Sequence, residues 1–536
     1  MKKLKLVCVA IAMAGAAPTF AGGLLTNTNQ HVAFNRMMSR EASIGIDGVY
    51  YNPAGVVFMG EGHHLAINWQ LAYQTRTINN DYKLFTNNVN NPITPRDFKG
   101  KAFAPVIPSF QYAYNKGKWS FQANFALTGG GGKCTFDDGL GSFEKIVSET
   151  AIAACGLAGV VDQTLGNTLG QQGMEMFTSD QAFGKTGKYS FNSYMHGRQY
   201  YYGLSVGAAY KFCDNFSAFL GVRGVYALTN YYGYVENINV GNMPLYKVLD
   251  PTKENAANIE LSCDQTGVGF TPIIGVDYKT GRWNFSAKYE FKTRIRLKNK
   301  SVNQTPSIGN LPANLANQMT GILTDKFHNA GLPLEQAKQQ AENTTNAVLN
   351  DPTVGATMMG LKTQFDQKLN KAIGEYEDGK KIAGDIPAYL ALGIGYSPVD
   401  AVRVNVGFHW FDDKNATSYN NRNKELKRGT LEYNAGVEVD VNKKITLSTG
   451  WQNTNYGLSD EYMDDKSFVV GSNSAAIGGV YHINKKMDLN VAYFHTFYQH
   501  KKTSETVQLA ADKSIVYNSD YTRNNNVFAV GLDINF

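Results

Sequence analysis

Residues 42–55 read Ala-Ser-Ile-Gly-Ile-Asp-Gly-Val-Tyr-Tyr-Asn-Pro-Ala-Gly, and they lie at the centre of a segment, residues 22–61, that differs from the rest of the chain. This stretch has no sustained period of two or of 3.6 residues, and glycines and an Asn-Pro pair interrupt it. Nearly everything that follows has the alternating polarity of β-strands. We therefore predict that residues 22–61 form a compact plug, called the hatch below, inside a β-barrel.

The segment before the hatch has the organisation of a secretory leader. Lys2, Lys3 and Lys5 precede an apolar region, residues 6–17, which is too short to span a bilayer. Thr19-Phe20-Ala21 predicts cleavage after Ala21. We therefore interpret residues 1–21 as a signal peptide and the protein as exported.

Residues 62–536 predict a membrane barrel. From residue 63 to residue 78 apolar side chains alternate with small or polar ones, as in barrel strands that have a polar lumen. The mature chain has no run of about 18 apolar residues, and open sheet edges cannot be satisfied in lipid, so closure is required. Thirty-one tyrosines and 29 phenylalanines at a mean hydropathy of −0.31 agree with this pattern. The fold class is an all-β antiparallel transmembrane β-barrel of about fourteen strands.

Two segments have helical rather than strand periodicity. Residues 133–195 predict a long extracellular loop with a helix, and residues 300–384 predict a large helical extracellular insertion. Short turns alternate with these and other longer loops, as expected if the short turns face the periplasm.

The layout of the mature chain resembles the FadL-type outer-membrane transporters of long-chain fatty acids and other hydrophobic compounds. The resemblance is carried by the Gly22-Gly23-Leu24-Leu25 start, by the hatch motif Asn52-Pro53-Ala54 and by the strand series that follows. It implies a hatch that closes a fourteen-stranded barrel and helical outer loops that form an access groove for apolar ligands. The final strand ends on Phe536, which resembles the signal read by the barrel-assembly machinery.

Four consecutive glycines, Gly129, Gly130, Gly131 and Gly132, end the third predicted strand. Glycine at such a position marks a bulge or kink, and a flexible loop base is the alternative. A phosphate-binding loop is disfavoured because no Lys-Ser/Thr and helix start follow. The family resemblance implies that a kink in this strand makes a lateral opening in the wall.

Four cysteines remain after cleavage, and an exported protein can oxidise them. Cys213 is predicted in a periplasmic turn, and the other three lie in or near external loops. Cys134 and Cys155 are the preferred disulfide pair. No CxxC motif or adjacent histidine supports a metal site, and we predict no cofactor.

An apolar ligand with a carboxylate would need a cation in the lumen, because an isolated buried charge is costly. The strand alternation and the hatch supply five head-group candidates: Arg36, Arg40, Arg223, Lys288 and Arg403. The alternative is that they pair with lumen carboxylates such as Glu290, Glu432 and Glu438 and so hold the hatch against the wall. For the ligand tail the candidates are Leu315, Met319, Phe327 and Phe365, which ordinary packing between helices explains equally well.

Other function classes find less support. A net charge of +6 on 536 residues is too small for a strongly basic nucleic-acid binder. No GxSxG-like or HExxH constellation accompanies the histidines, so we predict no enzyme. A haem receptor that uses His63, His64, His196 or His328 and a plain porin stay open as alternatives.

The sequence thus predicts a monomeric barrel of the bacterial outer membrane, surrounded by outer-membrane lipid. By the resemblance, it takes up long-chain fatty acids or similar compounds. Ligand binds in the outer loops and lumen, and release is gated by the hatch, through a lateral wall opening.

Overall fold

The computed structural model describes residues 23, 25, 26, 29–306, 308–510 and 513–536. The predicted leader, residues 1–21, and its cleavage site lie outside these residues, as do Gly22 and Leu24. The strands are β1 Gly62–Tyr82, β2 Arg96–Lys116, β3 Trp119–Phe136, β4 Tyr189–Cys213, β5 Phe216–Val240, β6 Met243–Pro244, β7 Ile259–Thr280, β8 Trp283–Glu290, β9 Arg296–Gln304, β10 Lys381–Ala383, β11 Tyr389–Val399, β12 Val402–Phe411, β13 Arg428–Asn442, β14 Ile445–Gly457, β15 Ser472–Asn484, β16 Met487–Tyr498, β17 Lys501–Ala510 and β18 Lys513–Asn535.

These strands close into one antiparallel barrel, because β1 pairs with β2 on one side and with β18 on the other. Three wall positions are each shared by two consecutive strands. Strands β8 and β9 both pair with β7, and strands β16 and β17 both pair with β18. On the far side of β8 and β9, strand β11 pairs with β8 and strand β10 pairs with β9. The short β6 pairs with the end of β5. In the described part of the chain the wall therefore has fourteen strands, which confirms the prediction.

A belt of apolar side chains surrounds the outside of the barrel. In β1 the outward Ile67 and Trp69 are 50% and 43% exposed, whereas the inward Asn68 and Gln70 are buried. Outward apolar residues recur around the wall: Phe110, Phe121, Leu204, Leu220, Phe270, Phe285, Ile394, Val406, Tyr433, Leu447, Ile477, Val491 and Phe528. A continuous apolar surface of this size belongs in lipid rather than in water. The strands therefore span a membrane, as their alternation predicts.

The two ends of the barrel differ. Two-residue connections at 117–118, 214–215, 281–282, 400–401, 443–444 and 485–486 lie at one end, called the turn end. The opposite end, called the loop end, carries the long connections. The helices are α1 Val32–Arg36, α2 Gly48–Tyr51, α3 Gly141–Leu169, α4 Tyr246–Leu249, α5 Leu311–Asn329, α6 Leu334–Leu349 and α7 Pro352–Ile373. All but α1 and α2 belong to the loop end.

The strands extend further toward the loop end than their sequence pattern predicts. β3 continues to Phe136, and β4 begins at Tyr189 rather than at Gln199, so the connection spans 137–188 instead of 133–195. The insertion between β9 and β10 likewise spans 305–380 instead of 300–384. The reason is that these strand ends rise beyond the apolar belt. On β3 and β4 the outward positions in this region, such as Lys133, Tyr194 and Arg198, are polar or aromatic, so the ladder continues where the hydrophobic alternation stops.

The helix α3 is the one described helix that is long and apolar enough to cross a membrane by length and composition. Over half of its apolar window, 56%, is buried in the protein. Its first turns contact the wall through an ion pair between Glu144 and Arg96 and another between Lys145 and Glu505. The helix α3 is therefore part of the loop-end assembly, where its apolar residues join those of α5 and α6 in one core.

Residues 29–60 of the hatch lie inside the barrel. Phe34, Met38, Tyr50 and Tyr51 form one apolar cluster with wall residues of β15, β16 and β18. Ala54 and Val57 of the hatch join a second cluster with wall residues of β4, β5 and β7. These two clusters contact different parts of the wall, so the hatch bridges the lumen.

Candidate binding site

The hatch motif is anchored to three wall strands. Asn52 Nδ2 donates to Asp277 Oδ2 at 2.6 Å, and Gln122 Nε2 donates to the carbonyl of Pro53 at 2.7 Å. Ser217 Oγ donates to the carbonyl of Ala54 at 2.7 Å. Residues of β7, β3 and β5 thus satisfy the Asn-Pro-Ala turn, which fixes the hatch backbone at this point.

Two of the predicted head-group cations lie in the hatch and meet one wall carboxylate. Arg36 donates to Glu438 of β13, and Arg40 Nη1 lies 3.3 Å from the same side chain. Arg40 also donates to Asp47 within the hatch, from Nε to Oδ2 at 2.7 Å. Arg403 of β12 reaches Glu438 at 3.4 Å but pairs more closely with another residue of its own wall region, Asp440, at 2.7 Å. Glu438 therefore joins hatch and wall electrostatically.

The other two predicted cations share a different carboxylate. Arg223 makes a two-point contact with Glu290, at 2.7 and 2.8 Å. Lys288 Nζ donates to Glu290 at 3.0 Å and to the hatch carbonyl of Tyr50 at 2.7 Å. All three charged side chains are buried. In this arrangement each cation has a carboxylate partner, and Lys288 additionally holds the hatch.

A third hatch contact was not found by sequence reasoning. His409 of β12 lies between two carboxylates, with Nε2 at 2.6 Å from Glu41 of the hatch and Nδ1 at 2.9 Å from Glu432 of β13. Its position on an inward face is readable from the alternation. Its pairing with Glu41 is not, because the two residues are far apart in the chain.

The barrel wall is interrupted between β2 and β3. The ladder pairs Ala102 with Cys134 and resumes with Ser109 opposite Ala126. Among the described residues, those between Ala102 and Ser109 on β2 do not pair with those between Ala126 and Cys134 on β3. We call this stretch, in which β2 and β3 form no ladder with each other, the wall opening.

The residues at the wall opening explain why the ladder fails. Pro105 and Pro108 on β2 have no N–H to donate. Gly130 and Gly132 on β3 have φ angles of +82° and +133°, which residues other than glycine rarely adopt. The ladder between β3 and β4 also shifts register between Leu127 and Gly132. The four predicted glycines thus lie at the wall opening, and the prolines on the facing strand were the signal that sequence reasoning missed.

A lumen cavity of about 230 Å³ adjoins the wall opening. Ala104 and Gly132 border it on the side of the opening, and Thr26 and Asn29 border it on the side of the hatch. We call it the lumen cavity.

Two arginines that the sequence reasoning did not single out line the lumen cavity. Arg76 of β1 and Arg523 of β18 are directly opposite each other in the ladder. Both donate to Gln74 Oε1, at 3.2 and 2.7 Å, and Arg523 lies over the ring of Tyr498 at 5.1 Å. In the part of the chain that the structure describes, no carboxylate lies within 4.0 Å of either guanidinium. Two facing cations without a counter-ion suit an anionic ligand group.

A larger cavity of about 380 Å³, called the outer cavity, lies above the lumen cavity at the loop end. Phe143 and Ile146 of α3 supply part of its lining. The two cavities share Met195, Tyr231 and Lys466 in their linings, so they adjoin. The outer cavity therefore connects the surface helices with the lumen and the wall opening.

Buried acids lie beside the outer cavity. Burial raises the pKa of Asp464 to about 6, against the attraction of Arg422 and Lys466. Burial also raises the pKa of Glu375 well above its usual range. Asp464 lines the outer cavity, which therefore loses one negative charge as the pH falls below about 6.

The predicted apolar groove residues lie in the loop-end helices. Leu315 and Met319 are buried in the core that joins α3 with α5 and α6, and Phe327 packs against it. Leu315 and Phe365 border a small apolar cavity of about 120 Å³, which shares Ile146 with the outer cavity.

The four cysteines are free thiols, so the predicted Cys134–Cys155 disulfide is not present. Cys134 on β3 packs in a cluster with Ile78 and Phe136, whereas Cys155 on α3 donates to the carbonyl of Phe183 at 3.3 Å. The prediction treated both as loop residues. The extension of β3 places Cys134 in the wall and separates it from the helix.

The candidate haem ligands are dispersed. His63 and His64 begin β1 at the turn end, His196 lies on β4 toward the loop end, and His328 lies on α5. In the described residues, no group of three histidine, cysteine or acidic side chains is arranged to hold a metal ion.

No protein-family model and no curated protein matches the sequence. Among solved structures, the chain is similar to a Pseudomonas aeruginosa FadL homologue, with 14% identity, a TM-score of 0.57 and coverage of 96% of this chain and 100% of that one. It is also similar to a deltaS2 mutant of the TodX monoaromatic hydrocarbon channel, with 12% identity, a TM-score of 0.51 and coverage of 96% and 99%. At these identities the likeness establishes the fold.

Proposed function

We propose that this chain, which has the FadL-type barrel fold, takes up hydrophobic small molecules across the bacterial outer membrane. The observation that carries the proposal is the series of adjoining cavities that runs from the loop-end helices to the wall opening, above a hatch that bridges the lumen. With the loop end outside the cell, ligand enters from the medium and leaves sideways into the bilayer. The hatch prevents free diffusion, so the protein binds its cargo rather than sieving it.

We further infer that the cargo is an amphiphile with an anionic head, such as a long-chain fatty acid. The small apolar cavity offers almost only apolar side chains to a hydrocarbon tail. The outer cavity beside it offers aromatic and aliphatic side chains together with five carboxylates, Asp460, Glu461, Asp464, Asp465 and Glu505. Arg76 and Arg523 offer two guanidinium groups to a carboxylate. A neutral hydrocarbon would leave these two facing charges without a counter-ion.

The head-group role is proposed for Arg76 and Arg523 rather than for the five cations that the sequence suggested. Arg36, Arg40, Arg223, Lys288 and Arg403 each have a carboxylate partner, so a ligand carboxylate would have to displace it. Removing one partner from a buried ion pair typically costs about 3–5 kcal/mol. We propose that these five hold the hatch and the lumen wall together.

We propose that the barrel is a monomer in outer-membrane lipid and that it moves its cargo without a chemical step. We propose that assembly machinery recognises β18, which precedes the terminal Phe536 and closes the barrel on β1. Phe536 is 57% exposed at the turn end, where a partner can reach it.

A bulky side chain in the wall opening tests whether ligand leaves sideways through it. Ala104 lies at the wall opening. A Cβ added at Gly132 would be 3.4 Å from the Cβ of Ala104. We expect Ala104→Trp to reduce oleate uptake about tenfold or more, since a steric cost above about 1.4 kcal/mol suffices. The measurement is uptake of labelled oleate by cells that lack their own transporter.

The matched control is Ala123→Trp. Ala123 lies on β3 next to the outward Phe121 and Phe125 and faces lipid, so the same substitution adds bulk outside the route. Both variants should reach the membrane at equal levels, and the control should keep normal uptake. Undiminished uptake by correctly folded Ala104→Trp protein would refute sideways release.

A further inference from the structure

Three cations frame the wall opening on its outer surface at the loop end. They are Lys101 of β2, Lys133 of β3 and Arg198 of β4. Lys101 is one outward position above Phe103, which is 56% exposed in the apolar belt. Lys133 and Arg198 are directly opposite each other in the ladder between β3 and β4. We call these three residues the rim cluster.

The described part of the chain supplies no counter-ion to the rim cluster. Among the described residues, no carboxylate lies within 4.0 Å of its charged groups, whereas neighbouring Lys99 pairs with Asp97 at 3.2 Å. The Nε atom of Arg198 is buried and has no hydrogen-bond partner in the described part of the chain. Like charges that face each other across a ladder destabilise a sheet unless something compensates them. The cluster therefore has the charge pattern of an anion site.

The height of the cluster identifies the kind of anion. Below it, the outward residues Phe103 and Val106 are exposed and apolar, at 56% and 60%. Above it, Lys99 and Asp97 are exposed and charged. The change from apolar to charged side chains marks the boundary between lipid tails and lipid head groups. A molecule bound at this height has its head at the cations and its tails over Phe103 and Val106.

We propose that the rim cluster binds the phosphate groups of a phosphorylated outer-leaflet lipid, whose acyl chains cover the wall opening from outside. Phosphate oxygens match the forked donors of Arg198 and accept further hydrogen bonds from the two lysines. The cluster lies outside the barrel and faces lipid at all times, which distinguishes it from the cargo-facing Arg76 and Arg523 inside. Cargo that leaves through the wall opening then meets lipid tails rather than a charged head-group layer.

The test is native mass spectrometry of the full mature chain in mild detergent, titrated with diphosphorylated lipid A and with its dephosphorylated form. We expect wild-type protein to retain the phosphorylated lipid and to bind the dephosphorylated one at least about tenfold more weakly, as for lost charge-assisted hydrogen bonds. The combined variant Lys101→Gln, Lys133→Gln, Arg198→Gln should lose this preference. The control Lys443→Gln, Lys444→Gln, Lys485→Gln removes three exposed charges from the turn end and should keep it.

Equal retention of the two lipid forms by wild-type protein, or an unchanged preference in the rim variant, would overturn the proposal. Displacement of the phosphorylated lipid by oleate at equal concentration would also overturn it, because the site would then belong to leaving cargo. If the combined variant does not fold, the single variant Lys133→Gln is measured instead. We expect it to lose part of the preference for the phosphorylated lipid, and an unchanged preference would contradict the proposal.

Discussion

Individual charged residues in this barrel are distinguished by their partners rather than by their positions. Lumen alternation places Arg223, Lys288 and Arg403 inside, and the structure gives each a carboxylate. Arg76 and Arg523 face the same lumen without one among the described residues. A buried charge is costly unless it is paired, so an unpaired set at a cavity is the better candidate for ligand binding.

Replacing both lumen arginines tests the head-group assignment. We expect Arg76→Gln combined with Arg523→Gln to lower oleate uptake at least about tenfold, because even one lost charged hydrogen bond is worth about 1.5–3 kcal/mol. Uptake of the methyl ester of oleate, which has the same tail and no charge, should not fall, because it makes no ion pair. Parallel uptake assays with both labelled compounds measure the difference.

The control for this pair is Arg282→Gln, which removes a cation from an exposed turn at the other end of the barrel. It should leave both uptake rates unchanged. An equal fall of oleate and methyl oleate uptake in the arginine double variant would instead indicate a structural role for the pair.

A second prediction at the level of single residues concerns pH. Asp413 lies in the connection between β12 and β13, where its carboxylate accepts the Thr430 N–H at 3.0 Å. Burial raises the pKa of Asp413 from 3.8 to about 7. The folded protein thus holds this proton more tightly than the unfolded chain, so the stabilisation is complete below pH about 4 and is lost as the pH rises through 7.

Asp413→Asn keeps an acceptor for Thr430 and cannot ionise. Relative to wild type, its Tm should therefore rise between pH 4 and pH 8, by roughly 1–3 °C. Thermal unfolding followed by circular dichroism at several pH values measures this difference. Tm curves that stay parallel over the whole range would show that Asp413 remains ionised in the folded barrel.

At the level of elements, the hatch and the wall fit together through close backbone approaches. A Cβ at Gly450 of β14 would lie 2.6 Å from the backbone nitrogen of Met38. A Cβ at Gly393 of β11 would lie 2.5 Å from Cβ of Glu41. Glycine at these positions is required by the hatch, not by the strand, since a side chain would occupy the volume of hatch backbone.

We expect Gly450→Val to displace the hatch, because the obstructing atoms belong to backbone and cannot rotate away. Limited proteolysis from the turn end should then cleave residues 29–60 at least about tenfold faster than in wild type, as a local opening energy lowered by about 1.4 kcal/mol implies. Gly224→Val is the matched control, because a Cβ there points to the lipid side and has nothing closer than 3.7 Å. Equal cleavage of the two variants would mean that the hatch backbone does not pack closely against Gly450 of β14.

The pairing of strands explains why the sequence pattern did not predict the wall opening or the full length of β3 and β4. The four glycines of β3 predict a bend, but an opening needs the facing strand to fail as well, which Pro105 and Pro108 of β2 bring about. Which strands face each other is a matter of topology. In the same way, the loop-end halves of β3 and β4 are paired strands whose outward residues no longer alternate in polarity.

For the whole molecule, the hatch separates two compartments. The lumen cavity lies on its loop-end side, and a cavity of about 750 Å³, lined by Arg36, Arg40 and Glu438 among others, lies toward the turn end. Among the residues that the structure describes, these two cavities share no lining residue. We therefore expect the hatch to be the barrier between the two ends of the barrel.

Removal of the hatch tests this barrier. A mature chain that begins at residue 62 retains all eighteen described strands and their ladders. We expect its single-channel conductance in planar bilayers to exceed that of the complete mature chain about tenfold or more, because a fourteen-stranded lumen without filling is an aqueous pore. Folding is verified first by β-sheet circular dichroism, and an unchanged conductance would mean that other residues close the lumen.

Local patterns in the chain were enough to predict a closed membrane barrel, its strand number and the nature of the segment that fills it. Side-chain alternation and turn residues act over a few positions, and lipid leaves few other folds open. The pairing of lumen charges, the wall opening and the separation of Cys134 from Cys155 depend on residues distant in sequence. Barrel closure and register bring such residues together, so these features became visible only in three dimensions.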